Sequence, residues 1–152
     1  MHDIEKPLDY RSIWVAKPVL RAVYTDYYKL IGNSIVEGKT LEIGAGSGNM
    51  ETLGDDKVST DIVYAPWLDV SCDAQALPFA DSSFSNIVMV DVLHHIARPA
   101  LFLTEADRVL DHGGRLIMIE PGGTPLSYCF YRWFHDEEVD LNCDPLDTSP
   151  TF

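Results

Sequence analysis

Two kinds of apolar pattern alternate along the chain: short runs that are apolar throughout, and longer stretches where apolar residues return every three or four positions. The first longer stretch, PVLRAVYTDYYKLIG, sets Leu20, Val23, Tyr24, Tyr27 and Ile31 on one helical face, with Pro18 in the first turn and Gly32 as the stop. Residues 1–16 show no such period and are expected to be an irregular lead-in. A turn at Glu37-Gly38 leads into KTLEI, a short strand, and KVSTDI (57–62) and LDVSC (68–72) read as two more. SNIVMVD (85–91) is apolar and β-branched, the clearest strand after the first. In RPALFLTEADRVLDHGG, Pro99 starts a helix, Phe102, Ala106, Val109 and Leu110 form its stripe, Gly113 ends it, and His112 complements its C-terminal dipole. GRLIMIEP (114–121) is a fifth strand. Strands that are apolar on both faces and alternate with helices indicate a parallel sheet covered by helices, an α/β fold.

Composition narrows this picture by exclusion. A chain of 152 residues accommodates one domain with a true core and is short for two. The formal net charge of −13, with eleven basic residues spread thinly, argues against nucleic acid as a partner, because phosphate contacts need a basic face. No apolar run reaches the roughly 20 residues of a membrane helix, and the N-terminus lacks the pattern of a secretory signal. Cys72, Cys129 and Cys143 are odd in number and lack metal-ligand spacing, so the expectation is reduced thiols, a cytoplasmic protein and no metal site.

The candidate chemistry lies in LEIGAGSGNM (41–50), three glycines directly after the first strand. A strand, a glycine turn and a helix start can hold a polar ligand group against backbone N–H groups. Gly44, Gly46 and Gly48 are spaced G-x-G-x-G, which fits neither the dinucleotide fingerprint G-x-G-x-x-G nor a P-loop ending in Gly-Lys-Ser/Thr. Asp61 ends the second strand, where a carboxylate can accept ribose hydroxyls, Asp73 follows the third, and Asp91 ends the fourth. Three carboxylates at successive strand ends beside a glycine loop converge on one crevice.

With these motifs in hand, LEIGAGSGNM, DAQALPFADSSFSNIVMVDVLHHI and RVLDHGGRLIMIEP resemble the class I S-adenosylmethionine-dependent methyltransferases, in particular the broad type 11 group of small-molecule enzymes. The resemblance runs from about residue 39 to 121. It implies a Rossmann-like parallel sheet of order 3-2-1-4-5 with helices on both faces, and S-adenosylmethionine as cofactor. It implies that Gly44, Ala45, Gly46 and Gly48 hold the methionine part, that Asp61 holds the ribose, and that Ser47 and Ile62 also belong to the cofactor site. Asp73 and Ala74 would take the adenine, Asp91 and Val92 would flank the sulfonium, and Glu42 would reach the cofactor's amino group through water or orient the loop. His94 and His95 are candidates for a general base if the acceptor needs one, or else pack beside the cofactor. Tyr10, Tyr24 and Tyr27 either line an acceptor pocket or belong to the core.

Two departures from the family are visible. The segments from Gly48 to Asp61 and from Asp61 to Asp73 are short, so the second family helix reduces to a turn around YAPWLD, with Trp67 as the covering side chain. The family's sheet also adds two strands after the fifth, for which no sequence remains. The chain thus divides into a helical lead-in (1–38), a cofactor-binding core (39–121) and a tail (122–152). In that tail Leu126, Cys129, Phe130, Trp133 and Phe134 form an amphipathic stripe. That 124–135 helix, or the open edge of the last strand, is expected to support self-association. Three functions stay open: a methyltransferase acting on a small molecule, a cofactor-binding but catalytically incomplete domain, and an NAD-dependent oxidoreductase.

Overall fold

The computed structural model describes residues 5–50, 53, 56–122, 144, 146 and 147. Helices α1 (Glu5–Ala16) and α2 (Pro18–Gly32) precede strands β1 (Thr40–Ile43), β2 (Lys57–Asp61), β3 (Val70–Ser71) and β4 (Phe84–Val90). A short 3₁₀ turn (Leu93–His95), helix α3 (Pro99–Val109) and strand β5 (Leu110–Ile119) follow. All pairings are parallel and the sheet order is β3-β2-β1-β4-β5, as the resemblance implies. The sheet reverses direction of growth between β1 and β4, so the crevice over their C-terminal ends is where a ligand belongs.

The sheet has an apolar face on each side. In β4, Ile87 and Met89 join Leu41, Phe102, Ala106 and Val109 beneath α3, whereas Val88 points the other way to Tyr28 and Ile31 of α2. Phe102 and Val109 are fully buried, each contributing about 1.5–3 kcal/mol of hydrophobic stabilisation. Asn86, buried in the middle of this apolar strand, is satisfied by Val36 N–H and C=O (both 2.9 Å) and Thr40 Oγ1 (3.2 Å), which pins the approach to β1.

Four sequence expectations change. Residues 5–16 are helical rather than irregular. The chain breaks before Pro18 because a residue preceding proline is pushed out of the helical region, and Lys17 sits at φ −113°, ψ 91°. Arg21 of α2 then satisfies the end of α1 through the Trp14 (2.7 Å) and Val15 carbonyls, so α1 is held by its neighbour and needs no stripe of its own. On α2 the inner face turns on Tyr28, buried, while Val23 is exposed. Helix α3 stops at Val109, so Leu110 and His112 lie in β5 and His112 is not a helix-end residue. That strand starts early but irregularly, with a register shift between the Phe84–Leu110 and Asn86–Arg115 pairs.

No helix forms between Asp61 and Val70; Trp67 lies in a turn there. Among the described residues the sheet ends at β5, and no helix is long and apolar enough to cross a membrane. The 124–135 stripe, Cys129 and Cys143 lie outside the described residues.

Candidate functional site

The loop after β1 is built from backbone ties. Ala45 N–H bonds Thr60 C=O (2.9 Å), Gly48 N–H bonds Ala45 C=O (2.7 Å), and Asp61 Oδ2 accepts from Gly46 N–H (2.9 Å). Gly46 sits at φ +48°, a conformation L side chains rarely adopt, and the nearest atom to a Cβ placed there would be Gly44 O at 3.9 Å. Among the described residues no other atom comes within 4 Å of that position. The neighbouring glycines have a different reason: a side chain at Gly44 would run into Val92, and a Cβ at Gly48 would lie 2.5 Å from Trp67 Cδ1. Trp67 Nε1 donates to Gly46 C=O (2.9 Å) and the Arg11 guanidinium lies 4.5 Å from its ring centroid. Trp67 therefore does cover the loop in place of a helix.

The loop and strand ends enclose a cavity of two adjoining lobes, of about 350 and 340 Å³, within the range of small-ligand sites. Asp61, Ile62, Asp73 and Ala74 line the first lobe; Glu42, Ala45, Gly46 and Ser47 line the second; Gly44, Asp91 and Val92 line both. Of the twelve residues expected to hold the cofactor, all but Gly48 line one lobe or both. In the first lobe the carboxylates are held by nearby backbone: Asp61 Oδ1 accepts from Val63 N–H (2.9 Å) and Asp73 Oδ1 from Gln75 N–H (2.8 Å). Gln75, which the sequence did not single out, also bonds Asp73 through its side chain and receives Arg98 N–H (3.0 Å). Cys72 lines this lobe, and burial raises its thiol against a lowering hydrogen bond with Thr60.

The second lobe draws on both N-terminal helices. Trp14, Tyr24 and Tyr28 line it and pack on one another with ring centroids 5.8–6.3 Å apart. Tyr10 lines both lobes and Tyr27 neither, which divides the three tyrosines proposed for an acceptor pocket. Burial first, then the Glu42 and Asp91 charges, raises the Tyr28 phenol. Glu42 is itself buried, accepting from Lys57 Nζ (2.6 Å) and Ser59 Oγ (3.1 Å), while Lys57 also donates to Met50 C=O (2.7 Å). In this structure Glu42 ties the loop to β2.

Beyond Asp91, Glu120 Oε1 accepts from Val92 and Leu93 N–H (2.9 and 2.7 Å) and its Oε2 lies 2.7 Å from His94 Nδ1. Burial pushes the Glu120 carboxyl up, but the His94 contact and the two backbone donors outweigh it, leaving it below the ordinary value. His95 lines both lobes and His94 lines neither. Among the described residues no group of His, Cys, Asp and Glu has the arrangement of a metal site.

Residues 41–118, just over half of the chain, match the methyltransferase domain family, and the chain belongs to that family as a class I S-adenosylmethionine-dependent methyltransferase domain. A stretch of 67 residues is 39% identical to the ubiquinone/menaquinone biosynthesis C-methyltransferase UbiE of Paracoccus denitrificans, covering 44% of this chain and 26% of that protein. A longer stretch of 95 residues is 30% identical to UbiE of Xylella fastidiosa, covering 62% and 38%. The matched stretches thus span well under half of these relatives' own length. Among solved structures, a SAM-dependent methyltransferase of Thermotoga maritima, described as a possible histamine N-methyltransferase, superposes with a TM-score of 0.71 at 25% identity. That alignment covers 86% of this chain and 67% of that one. These matches favour a methyltransferase over an NAD-dependent oxidoreductase.

Proposed function

We propose that this chain binds S-adenosylmethionine across the two lobes and transfers its methyl group to a small molecule. The observation that carries the proposal is the open space at Gly46 facing a cavity whose walls hold Asp61, Asp73 and Asp91. The donor set suits the cofactor. Among the described residues no Lys or Arg lines either lobe, as a pyrophosphate would favour, whereas carboxylates stand where ribose hydroxyls, an adenine amine and an amino-acid ammonium need acceptors. Asp61 and Ile62 would hold the ribose, Asp73 and Ala74 the adenine, and the loop from Gly44 to Ser47 the amino-acid end.

The cofactor, when bound, supplies an already activated methyl group on a sulfonium. The chain's task is then orientation and exclusion of water. Gly44, Asp91 and Val92 form the wall common to both lobes and so fix the reacting centre between them, while the Trp14, Tyr24 and Tyr28 rings keep water from the second lobe. His95, which borders both lobes, is the side chain placed to accept a proton from an acceptor that has one to lose.

Calorimetric titration with S-adenosylhomocysteine and with NAD tests the reading. One-to-one binding of the first and none of the second is expected. NAD binding, or no binding of S-adenosylhomocysteine, would overturn it. A methyl-release assay over a metabolite panel then addresses the acceptor.

A further inference from the structure

Resting on that functional reading, we propose that Tyr24 is a positioning residue of the site: it holds Asp91 so that this carboxylate receives the ligand's ammonium group. Among the described residues two carboxylates line the glycine-loop lobe, Glu42 and Asp91. The Glu42 charge is already met by Lys57 Nζ at 2.6 Å, an ion pair with little exposure on either side chain. Among the described residues Asp91 has no cationic partner; its Oδ2 accepts a 2.6 Å hydrogen bond from the neutral Tyr24 phenol, across 67 positions of sequence. Of the two acids, Asp91 is therefore the one with negative charge left to offer a cation.

The backbone agrees. Asp91 lies at φ +56°, a conformation that costs a non-glycine residue free energy and persists only where the surroundings over-determine it. Two ties do so, Asp91 N–H to Ile119 C=O (2.8 Å) and the Tyr24 hydroxyl, one from β5 and one from α2. The residue so constrained stands in the wall between the lobes. Burial, and then the Asp91 contact, raises the Tyr24 phenol above its ordinary value, which keeps it a donor. Tyr24 also lines the glycine-loop lobe and not the other, and α2 lies outside the segment that matches the family.

The test compares S-adenosylhomocysteine with 5′-methylthioadenosine, which lacks the amino-acid end, by calorimetry on the full chain. Wild type, Tyr24→Phe, Asp91→Asn and the double variant are titrated, and each is melted to register folding. Asparagine tolerates the left-handed backbone, so Asp91→Asn preserves the turn. Tyr24→Phe is expected to weaken S-adenosylhomocysteine about 5- to 20-fold, less than the full effect of losing a hydrogen bond to a charged group because Tyr24 acts on the ligand only through Asp91. Its affinity for 5′-methylthioadenosine should stay within about twofold, and Tyr24→Phe should add little once Asp91→Asn is present. Equal loss for both ligands, unchanged affinity for S-adenosylhomocysteine, or additive effects in the double variant would each overturn the inference. A wild-type chain that binds no S-adenosylhomocysteine would overturn the functional reading itself.

Discussion

The two lobes of the cavity are assembled by different means. In the first, Asp61 and Asp73 each accept from a backbone N–H two residues further on, Val63 and Gln75, and a longer tie joins Asp61 to the Gly46 N–H of the neighbouring loop. In the second, the lining arrives from far away: Tyr24 reaches Asp91, and Trp14 and Tyr28 close the space above the glycine loop. One lobe is a local product of strand ends, the other depends on docking a helical pair against the sheet. Their responses to perturbation should differ accordingly, binding following local residues in the first and tertiary packing in the second.

The most disruptive change expected is Gly46→Val. Among the described residues a Cβ here comes no closer than 3.9 Å to an atom, Gly44 O, so the main cost to the fold is the backbone strain of a β-branched residue at positive φ, about 1–2 kcal/mol. It does, however, enter the space that the proposed function gives to the amino-acid end of the ligand. Loss of all measurable S-adenosylhomocysteine binding with a melting temperature a few degrees lower is expected, together with residual binding of 5′-methylthioadenosine in the first lobe. Equal loss of both ligands would show that the lobes do not act separately.

The same local-versus-distant contrast decides what could be read from the sequence. Strand identity, a parallel sheet and the glycine loop follow from short apolar runs and fixed spacings, the strand order follows from the family resemblance, and all twelve residues that the resemblance implies except Gly48 do line the cavity. Gly48 answers to Trp67, a partner nineteen positions on whose covering role was readable only from the shortness of the intervening segment. Helix α1 was missed because its stability comes from Arg21 and the Trp14 contacts, which no periodicity within residues 5–16 records. Glu42 was legible as an acid beside the loop, but its pairing with Lys57 depends on β1 and β2 lying side by side. Gln75 gave no signal, since a polar residue after a strand looks like any loop position until its bonds to Asp73 and Arg98 are seen.

A smaller effect sharpens the view of the first lobe. Asp61→Ala should weaken S-adenosylhomocysteine by about 1–3 kcal/mol, the range for charge-assisted hydrogen bonds. On the proposed assignment of Asp61 to the ribose, 5′-methylthioadenosine should lose the same amount, in contrast to the selective loss expected for Tyr24→Phe. Calorimetry on both ligands checks this, and an unchanged affinity would remove Asp61 from the ribose assignment.

The mildest change lies behind the first lobe, where the chain beyond Asp73 is braced by α3. Glu105 Oε2 accepts from Leu77 N–H (2.8 Å) and from Arg108 Nη2 (2.7 Å), while Arg108 also donates to the Leu77 and Phe79 carbonyls (3.0 and 2.7 Å). The Arg108 hydrogen bond, aided by Leu77 N–H and opposed by burial, holds the Glu105 carboxyl below its ordinary 4.5. A carboxylate lowered in the folded state stabilises the fold at pH values above its unfolded value, and that contribution fades as pH falls through the lowered folded value. Glu105→Gln should therefore cost about 1 kcal/mol at neutral pH, modest because the pair is partly exposed. The cost should start to shrink as the medium is acidified below about 4.5, the ordinary value, and vanish once the pH falls through the lowered folded value, where the native carboxyl is itself protonated. Urea melts of both proteins between pH 7 and pH 3 measure this. Parallel stability curves over that range would show that Glu105 acts through packing alone. Since the brace supports the lobe from outside, S-adenosylhomocysteine affinity at pH 7 should stay within about twofold of wild type, small beside the loss expected for Asp61→Ala.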